Sequence, residues 1–293
     1  AAIDAVSAAG GGDLHGPAGT YLIDVSGALT QTSGGVQMKS NVHLKLAEGA
    51  IFKASGNAKE VYAVLRFGIG ALDTGDHRSR SNMSLSGGMI QGNRDTHDAF
   101  VSSNAGMCIW VTNCLNVRIN DVEVTDAWGD GIYLDANDNT GAIATNSTRP
   151  ADVNISNCRI YGNRRNNISI ISALGVSIDN NDIREADGTS PYAGIDIEPD
   201  FTGADVDDIR ITNNLIAANL GAGMEITDTS PGQINDVLVS GNDIRDNGAT
   251  LGYGVKIARL DGNSVRIVNN KIELNYGDNV VLNGRKAVVV NAE

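Results

Sequence analysis

Acidic and basic side chains recur in a short repeated segment, in a pattern that could carry out acid–base chemistry. The segment has five residues and begins with Gly or Asn, and its third residue is Asp196, Glu225 or Lys256 in three successive copies. Its fifth residue is Asp135 or Glu198 in two copies. A carboxyl beside another carboxyl holds its proton more tightly, and one beside an ammonium holds it less tightly. Groups that are separated in this way are suited to act as an acid and a base together.

Hydrolysis of a glycosidic bond is one reaction that needs two carboxyls, about 5 Å apart for retention or about 6.5–9.5 Å apart for inversion. If the copies stack as strands about 4.8 Å apart, Asp196 and Glu225 approach the first spacing. Asp135 and Glu198, two copies apart, then lie about 9.6 Å from each other, at the limit of the second. All four are therefore candidate catalytic residues. The alternative is an ordinary solvated strand face, with Glu225 and Lys256 as a plain ion pair.

An eight-residue motif precedes each of these segments and indicates how they are positioned. The octets begin at residues 83, 117, 153, 176, 209, 237 and 265, at offsets of 34, 36, 23, 33, 28 and 28 residues. Apolar residues alternate in them as in strands, and repeats of 20–50 residues are typical of a solenoid. Four coils have Asn at the sixth octet position, which predicts a buried ladder of amides: Asn181, Asn214, Asn242 and Asn270.

Aligning the segments on their first residues predicts two columns of outward side chains. The first column reads Cys108, Tyr133, Ser169, Asp196, Glu225, Lys256 and Val281. The second column reads Trp110, Asp135, Ile171, Glu198, Thr227, Ala258 and Asn283. Tyr133 and Lys256 are expected to position a substrate and tune the carboxyls. Trp110 is expected to stack on the substrate at one end of a groove, or else to cover a loop.

Three further side chains are candidates for substrate binding. Arg164 and Arg165 lie in the turn before one segment and would bind a carboxylate, or simply belong to the turn. His97 lies in a long loop that could reach the same face. Three long loops are expected to form the walls of the groove: residues 95–105, 136–151 and 199–206.

Composition excludes several other classes of protein. The 293 residues are 41% hydrophobic, and the net charge of −13 disfavours a nucleic-acid partner. No apolar run approaches the ~20 residues of a membrane span, so no membrane partner is expected. The chain lacks an initiator Met and a signal-peptide pattern, so we expect a trimmed or mature chain. Its three cysteines have neither metal spacing nor an even count, so no structural metal site is predicted.

The repeats resemble the right-handed parallel β-helix of the pectate-lyase-like superfamily, over roughly residues 15 to 290. The resemblance implies one all-β domain over 1–293, with a short capping helix at 1–12 and stacked coils at 13–293. A cap is physically needed because an uncovered solenoid end is an edge that invites aggregation. The superfamily includes hydrolases, lyases, epimerases, fructotransferases and phage tailspikes, so the fold alone does not name a reaction.

One part of the chain resembles the catalytic module of alginate C5-epimerases, namely the segments 92–95 and 128–135. That family carries its reaction on a Tyr, an Asp and a His with a Lys nearby. By this resemblance Tyr133 and Asp135 take two of these places. Asn137 occupies the region where the His is expected, and no Lys follows the Gly-Asn-Arg-Asp segment. The catalytic set of that family is therefore incomplete here.

A later segment, 194–200, instead resembles strands of β-helix glycosidases and phage-type depolymerases, in which acidic residues carry the reaction. This resemblance adds Asp200 as a candidate for substrate binding. The run Asp135 to Asn139 resembles a cation loop but lacks the Gly and the distal Glu of an EF-hand. No cofactor is expected to be required, and a bound Ca²⁺ ion is left open.

Three hypotheses about function follow. The first is a glycoside hydrolase that cleaves inside a polysaccharide chain, using the carboxyls named above. The second is a lyase or C5-epimerase on uronate polymers, and the third is a non-catalytic module, such as a glycan-binding or tailspike-type β-helix. Each implies a polysaccharide or oligosaccharide partner and an extracellular location: secreted, on a cell surface or on a virion. Related families include trimers, so a homotrimer is left open.

Overall fold

Parallel strands are all but one of the regular elements in the described part of the computed structural model. The structure describes residues 1–26, 35–56, 62–68, 80–97, 106–136, 149–201, 203–228, 233–250, 252–258, 265–283 and 287–292. Within these ranges it contains one helix, α1 (Ala2–Ala8), and 27 strands. The chain climbs through three sheets in turn, and each strand pairs in parallel with its counterpart in the next coil. The predicted parallel β-helix is confirmed.

The first two sheets are formed mainly by the octets. The first sheet comprises β1 (Gly12–Gly16), β4 (Val42–Leu46), β7 (Ser81–Ser86), β10 (Leu115–Asn120), β13 (Ala151–Ser156), β16 (Ala173–Asp179), β19 (Val206–Thr212), β22 (Ile234–Ser240), β25 (Val265–Glu273) and β27 (Ala287–Ala292). The second comprises β2 (Gly19–Asp24), β5 (Ala50–Ser55), β8 (Met89–Gln91), β11 (Glu123–Thr125), β14 (Arg159–Tyr161), β17 (Asp182–Arg184), β20 (Leu215–Ala217), β23 (Asp243–Arg245) and the end of β25.

The third sheet has nine strands within the described residues and carries the five-residue segments. It comprises β3 (Val36–Gln37), β6 (Tyr62–Phe67), β9 (Gly106–Val111), β12 (Ile132–Leu134), β15 (Ile168–Ile170), β18 (Ile195–Ile197), β21 (Met224–Thr227), β24 (Tyr253–Ala258) and β26 (Asp278–Asn283).

Each octet turns the corner between the first and second sheets at its fifth residue. That residue has a positive φ in all seven octets, for example 56° at Asn157 and 70° at Gly241. Asn, Asp and Gly adopt this left-handed backbone at the lowest cost. The recurrent Asn and Gly at this position therefore define where each coil bends.

Aliphatic side chains and two ladders of Asn amides fill the interior. Asn214 illustrates the predicted ladder, because it accepts a 2.9 Å hydrogen bond from the Asn181 amide and donates one of 2.9 Å to Asn242. A second ladder, not predicted, runs through Asn219, Asn247 and Asn275. It explains why a Gly begins the segment at Gly223, where a Cβ atom would lie 2.7 Å from the Asn247 Nδ2 atom.

Helix α1 covers the first coil. Ile3 and Val6 pack against the hydrophobic core, and the helix contacts β1 and β4. It spans seven residues rather than the predicted 1–12, since Gly12 already begins β1. Gly10, Gly11 and Gly12 all have positive φ, and this backbone ends the helix and redirects the chain into the first strand.

Candidate active site

The outer face of the third sheet carries one continuous polar column. The register pairs Asp196 with Ser169 on one side and with Glu225 on the other, and Glu225 with Lys256. The residues that flank Asp196, Ile195 and Ile197, are completely buried in the core. Because side chains alternate along a strand, Asp196 projects from the opposite face of the sheet. The predicted neighbour relations of Asp196, Glu225 and Lys256 are therefore confirmed.

The first part of the predicted columns is wrong by two residues. Trp110 pairs with Tyr133 in the first column and not with Asp135 in the second, and Cys108 lies beside Gly131. Cys108 belongs to the core and donates a 3.1 Å hydrogen bond from Sγ to the carbonyl of Thr125.

The misalignment arises because Gly106 is not the counterpart of the glycines that begin the later segments. A Cβ atom on Gly106 would lie 2.6 Å from the ring of Tyr62. This glycine therefore makes room for an aromatic ring, whereas Gly223 makes room for the Asn ladder. Glycine is therefore required at these two positions for different reasons, and an alignment of the segments on their glycines cannot distinguish the two cases.

A network of buried polar groups lies beneath Asp196. Arg165 donates a 2.8 Å hydrogen bond to Asp130 Oδ2, and its other terminal nitrogen lies 4.0 Å from Asp196 Oδ2. The Ser169 hydroxyl also donates to Asp130 Oδ2, at 2.9 Å. Asn166 connects the two carboxyls, since its backbone N–H donates to Asp130 and its side chain donates to Asp196, at 3.0 and 2.9 Å. The network fixes the position of both Arg165 and Asp196.

Asp130 and Asn166 are functional candidates that the sequence analysis missed. Each stands immediately before the first residue of a segment, at a position that Ala193 and Ala222 occupy in later coils. A charged residue and an amide in place of these buried alanines are the sequence signal that could have identified them. Arg165, for which the sequence left open substrate binding or a place in the turn, is bound to Asp130.

The carboxyls of Asp196, in β18, and of Glu198, directly after β18, differ in exposure. Asp196 is completely buried, and burial raises its pKa well above the usual range. The Glu198 carboxyl raises this pKa further, against the opposing effect of Arg165. The Oδ1 atom of Asp196 has no hydrogen-bond partner among the described residues. Glu198 is half-buried, and its pKa is also raised, mainly by burial.

Glu225 is held as a hydrogen-bond acceptor. Its Oε1 atom accepts a hydrogen bond from the Lys256 ammonium and a second one, of 3.2 Å, from the Thr227 hydroxyl. Glu225 also raises the pKa of Glu198, so the two carboxyls lie close enough to interact. The site thus presents Glu198, whose pKa is raised, beside Glu225, whose carboxyl is bound as an acceptor.

The aromatic end of the column is mostly buried. Trp110 is only 3% exposed, and the Arg66 guanidinium lies 4.9 Å from the centre of its ring. Of the two alternatives predicted for Trp110, an open platform for a sugar does not fit this burial, and a covering role does. The ring of Tyr133 meets Trp110 edge-on at 6.3 Å. Burial raises the pKa of Tyr133 well above the usual range, and the buried Asp135 and exposed Asp200 carboxyls raise it further.

His97 and Arg164 make their contacts in a different cluster. The His97 ring stacks between Tyr62 and Trp128, with ring centres 5.6 and 4.7 Å away. The Arg164 guanidinium lies over the other ring in this stack, 4.0 Å from the centre of Trp128. The structure therefore places both His97 and Arg164 against Trp128 rather than against the candidate catalytic carboxyls.

Parts of the predicted groove lie outside the described residues. Residues 98–105, 137–148 and 202 of the predicted loops are among these, and so are Asn137 and the remainder of the cation-loop run. In the described ranges, His, Cys, Asp and Glu form no group of three or more that could hold a metal ion. No helix in those ranges is long and apolar enough to cross a membrane.

Comparison with known proteins agrees with this architecture. A family model described as "Right handed beta helix region" matches residues 108–292. An uncharacterised protein of Bacillus subtilis, YclG, is 31% identical over 85% of this chain and 42% of its own length. The mannuronan C5-epimerase AlgE2 of Azotobacter vinelandii is 26% identical over 88% of this chain and 24% of its own length.

Among solved structures, the tailspike of E. coli bacteriophage HK620 in complex with a pentasaccharide has a TM-score of 0.57. It is 14% identical, over 98% of this chain and 60% of the tailspike chain, which shows a shared fold. The chain spans less than half the length of the curated relatives named above. The octets and segments of the sequence, the three parallel sheets and the family match agree, and the chain belongs to the right-handed β-helix family.

Proposed function

We propose that the protein is a polysaccharide-cleaving glycoside hydrolase, with Glu198 as the proton donor and Glu225 as its partner carboxylate. The observation that carries the proposal is the contrast between these neighbours. Glu198 is half-buried with a raised pKa, whereas Glu225 accepts hydrogen bonds from Lys256 and Thr227. Glycosidases that act through two carboxyls need one protonated and one ionised group.

In this proposal each group has a distinct role. Glu198 gives its proton to the glycosidic oxygen as the bond breaks. Glu225 stabilises the positive charge that develops on the sugar ring, either by attack on the ring or through a water molecule. Asp196 is completely buried, so it acts by positioning and by its effect on Glu198 rather than by touching the substrate. Asp135 is buried beside Tyr133 and contributes to the floor of the binding site.

The diagonal placement of the two residues is compatible with this chemistry. Glu198 lies two residues beyond Asp196, and Asp196 pairs directly with Glu225. Diagonal neighbours on one sheet face are about 7–8 Å apart at the backbone, which leaves room for a sugar or a water between the carboxyls. Polymeric glycans lie outside cells, which favours an extracellular location. No cofactor takes part in the reaction as proposed, and the activity is expected to persist in EDTA.

The experiment is mass spectrometry of the products after incubation with a panel of neutral and uronate polysaccharides. Wild type, Glu198→Gln and Glu225→Gln are compared with Asp208→Asn, a matched charge removal at an exposed position of β19. We expect oligosaccharides that have gained water, with rates that fall by about 10²–10⁴ in either glutamine variant. Full activity in both variants, or no product from any polymer, would refute the proposal.

A second candidate, an epimerase or lyase on uronate polymers, is favoured by one observation. The mannuronan C5-epimerase AlgE2 is 26% identical over 88% of this chain. By the resemblance of segment 128–135 to the epimerase module, Tyr133 and Asp135 would take two places of its catalytic set. The raised pKa of Tyr133 disfavours the ionised tyrosinate that would have to act as the base, which weighs against this candidate. In the same experiment, products with unsaturated ends or an altered uronate configuration, without added water, would establish it.

A further inference from the structure

Both basic side chains that act on the central carboxyls are already bound to acidic partners. Arg165 lowers the pKa values of Asp196, Glu198 and Asp200, and Lys256 also lowers that of Glu198. A uronate polymer brings a carboxylate on every sugar, and recognition of that carboxylate requires a cation that can turn towards it. The state of these two cations therefore determines which class of polysaccharide fits the groove.

Arg165 is held in place by two buried carboxyls. Its side chain is 12% exposed, and it lies between Asp130 and Asp196, which are each 1% exposed at the side chain. Asp130 itself is held by the Asn166 backbone N–H and the Ser169 hydroxyl. To turn towards a substrate, Arg165 would have to leave a buried carboxylate without its counterion, which is strongly unfavourable.

Lys256 is held in place by the carboxylate of the neighbouring strand. Its ammonium donates to Glu225 Oε1, and the Glu225 side chain is only 12% exposed. Thr227 donates to the same oxygen, which keeps the carboxylate turned towards the lysine. Lys256 cannot bind a substrate carboxylate without weakening this pair.

Among the described residues, two other arginines near the site are also engaged with neighbouring side chains. The Arg66 guanidinium is buried against Trp110, and that of Arg164 lies on Trp128. In sequence, the predicted wall segments 95–105 and 136–151 contain Asp95, Asp98 and Asp138 but a single arginine or lysine, Arg149. Arg149 is buried and donates to the backbone carbonyl of Asp205.

We propose that the substrate is a polysaccharide of uncharged sugars, and that Asp130 and Glu225 set this specificity by occupying Arg165 and Lys256. The inference rests on the proposed function and deepens it. Hydroxyl groups of a neutral glycan form hydrogen bonds with Glu198 and Glu225 without displacing either cation. A carboxylate-bearing polymer instead meets like charge along the column, which opposes binding.

The test is calorimetric binding of matched oligosaccharides, prepared from uronate polymers and from the same polymers after chemical reduction of their carboxyls, together with natural neutral glycans. We expect wild type to bind at least one neutral ligand about tenfold or more tightly than its uronate counterpart. Added salt should improve the weak uronate binding and leave neutral binding unchanged.

Asp130→Asn releases Arg165, and Glu225→Gln releases Lys256. Each variant is expected to reduce the ratio of neutral to uronate affinity by about tenfold. Asp208→Asn, which removes the same charge outside the column, should leave it unchanged, and circular dichroism verifies the fold of each variant. Tighter binding of uronates by wild type, an unaltered preference in both folded variants, or no binding of any neutral ligand would each overturn the inference.

Binding is measured separately from cleavage, so the two proposals can fail independently. Hydrolysis of a uronate polymer that binds best would overturn the substrate class and leave the hydrolase proposal standing. Binding of a neutral glycan that is never cleaved would overturn the hydrolase proposal and leave the substrate class standing.

Discussion

Arg165→Met is expected to destabilise the protein by about 3–5 kcal/mol, because it leaves a buried carboxylate without its counterion. Arg165 and Asp130 are 2.8 Å apart, and their side chains are 12% and 1% exposed. The penalty is attributed to the orphaned charge and not to the loss of the pair itself. The double variant Asp130→Asn/Arg165→Met should therefore recover about half of the loss or more, since replacement of both partners of a buried pair is often nearly neutral.

The assay is urea unfolding followed by tryptophan fluorescence and by circular dichroism. The chain contains two tryptophans, Trp110 and Trp128, and both are buried in the coils next to Asp130. Arg184→Met is the matched control: its ion pair with Asp182 is 2.6 Å long, but both side chains are about a third exposed, so we expect a cost below about 1 kcal/mol. A cost for Arg165→Met no greater than that of the control, or a double variant as unstable as the single one, would contradict this prediction.

Three further predictions concern stability and pH. Because burial raises the pKa of Asp196 in the folded protein, folding binds a proton between the unfolded pKa near 3.8 and the folded one, so stability falls as the pH rises through that window. Asp196→Asn should flatten this fall in urea titrations at several pH values, and an unchanged pH dependence would contradict it. Asn214→Ala removes four side-chain hydrogen bonds, at about 1 kcal/mol each, and should lower the free energy of unfolding by about 4 kcal/mol in urea titrations. The control Ser177→Ala, on the outer face, should cost about 0.5 kcal/mol or less. Equal costs for the two variants would exclude a stabilising Asn ladder. Gly223→Ala places a Cβ atom 2.7 Å from Asn247 and should lower the unfolding free energy by about 1–3 kcal/mol, whereas an unaltered midpoint would show that the ladder yields without cost.

The fold could be predicted because its repeat is written in local sequence. Each octet contains the alternation of two strands and a fifth residue that tolerates positive φ, and both features act within eight residues. The Asn ladder was also predictable, because identical amides at one octet position must stack when the coils stack. The second ladder escaped prediction because Asn219, Asn247 and Asn275 lie in the less regular turn between the second and third sheets.

The acidic ladder was predicted for the same reason, whereas the aromatic end was not. Asp196, Glu225 and Lys256 occupy equivalent positions of segments that begin with equivalent glycines. In β9 the first glycine serves a different neighbour, Tyr62, and an alignment that treats all such glycines alike shifts Trp110 by two residues. A repeat predicts strand register only where the residue used to align the coils is required for the same structural reason in each of them.

The buried network beneath the ladder depends on contacts that no repeat encodes. Asp130 and Arg165 are 35 residues apart and occur in single coils, so periodicity says nothing about their pairing. Yet this pair makes Arg165 a fixed charge next to Asp196, whereas the sequence left open a free cation that binds substrate. The repeats thus build the scaffold on which a site can form. The departures from the repeat, Asp130 and Asn166 in place of alanine, determine the charge that a substrate would meet there.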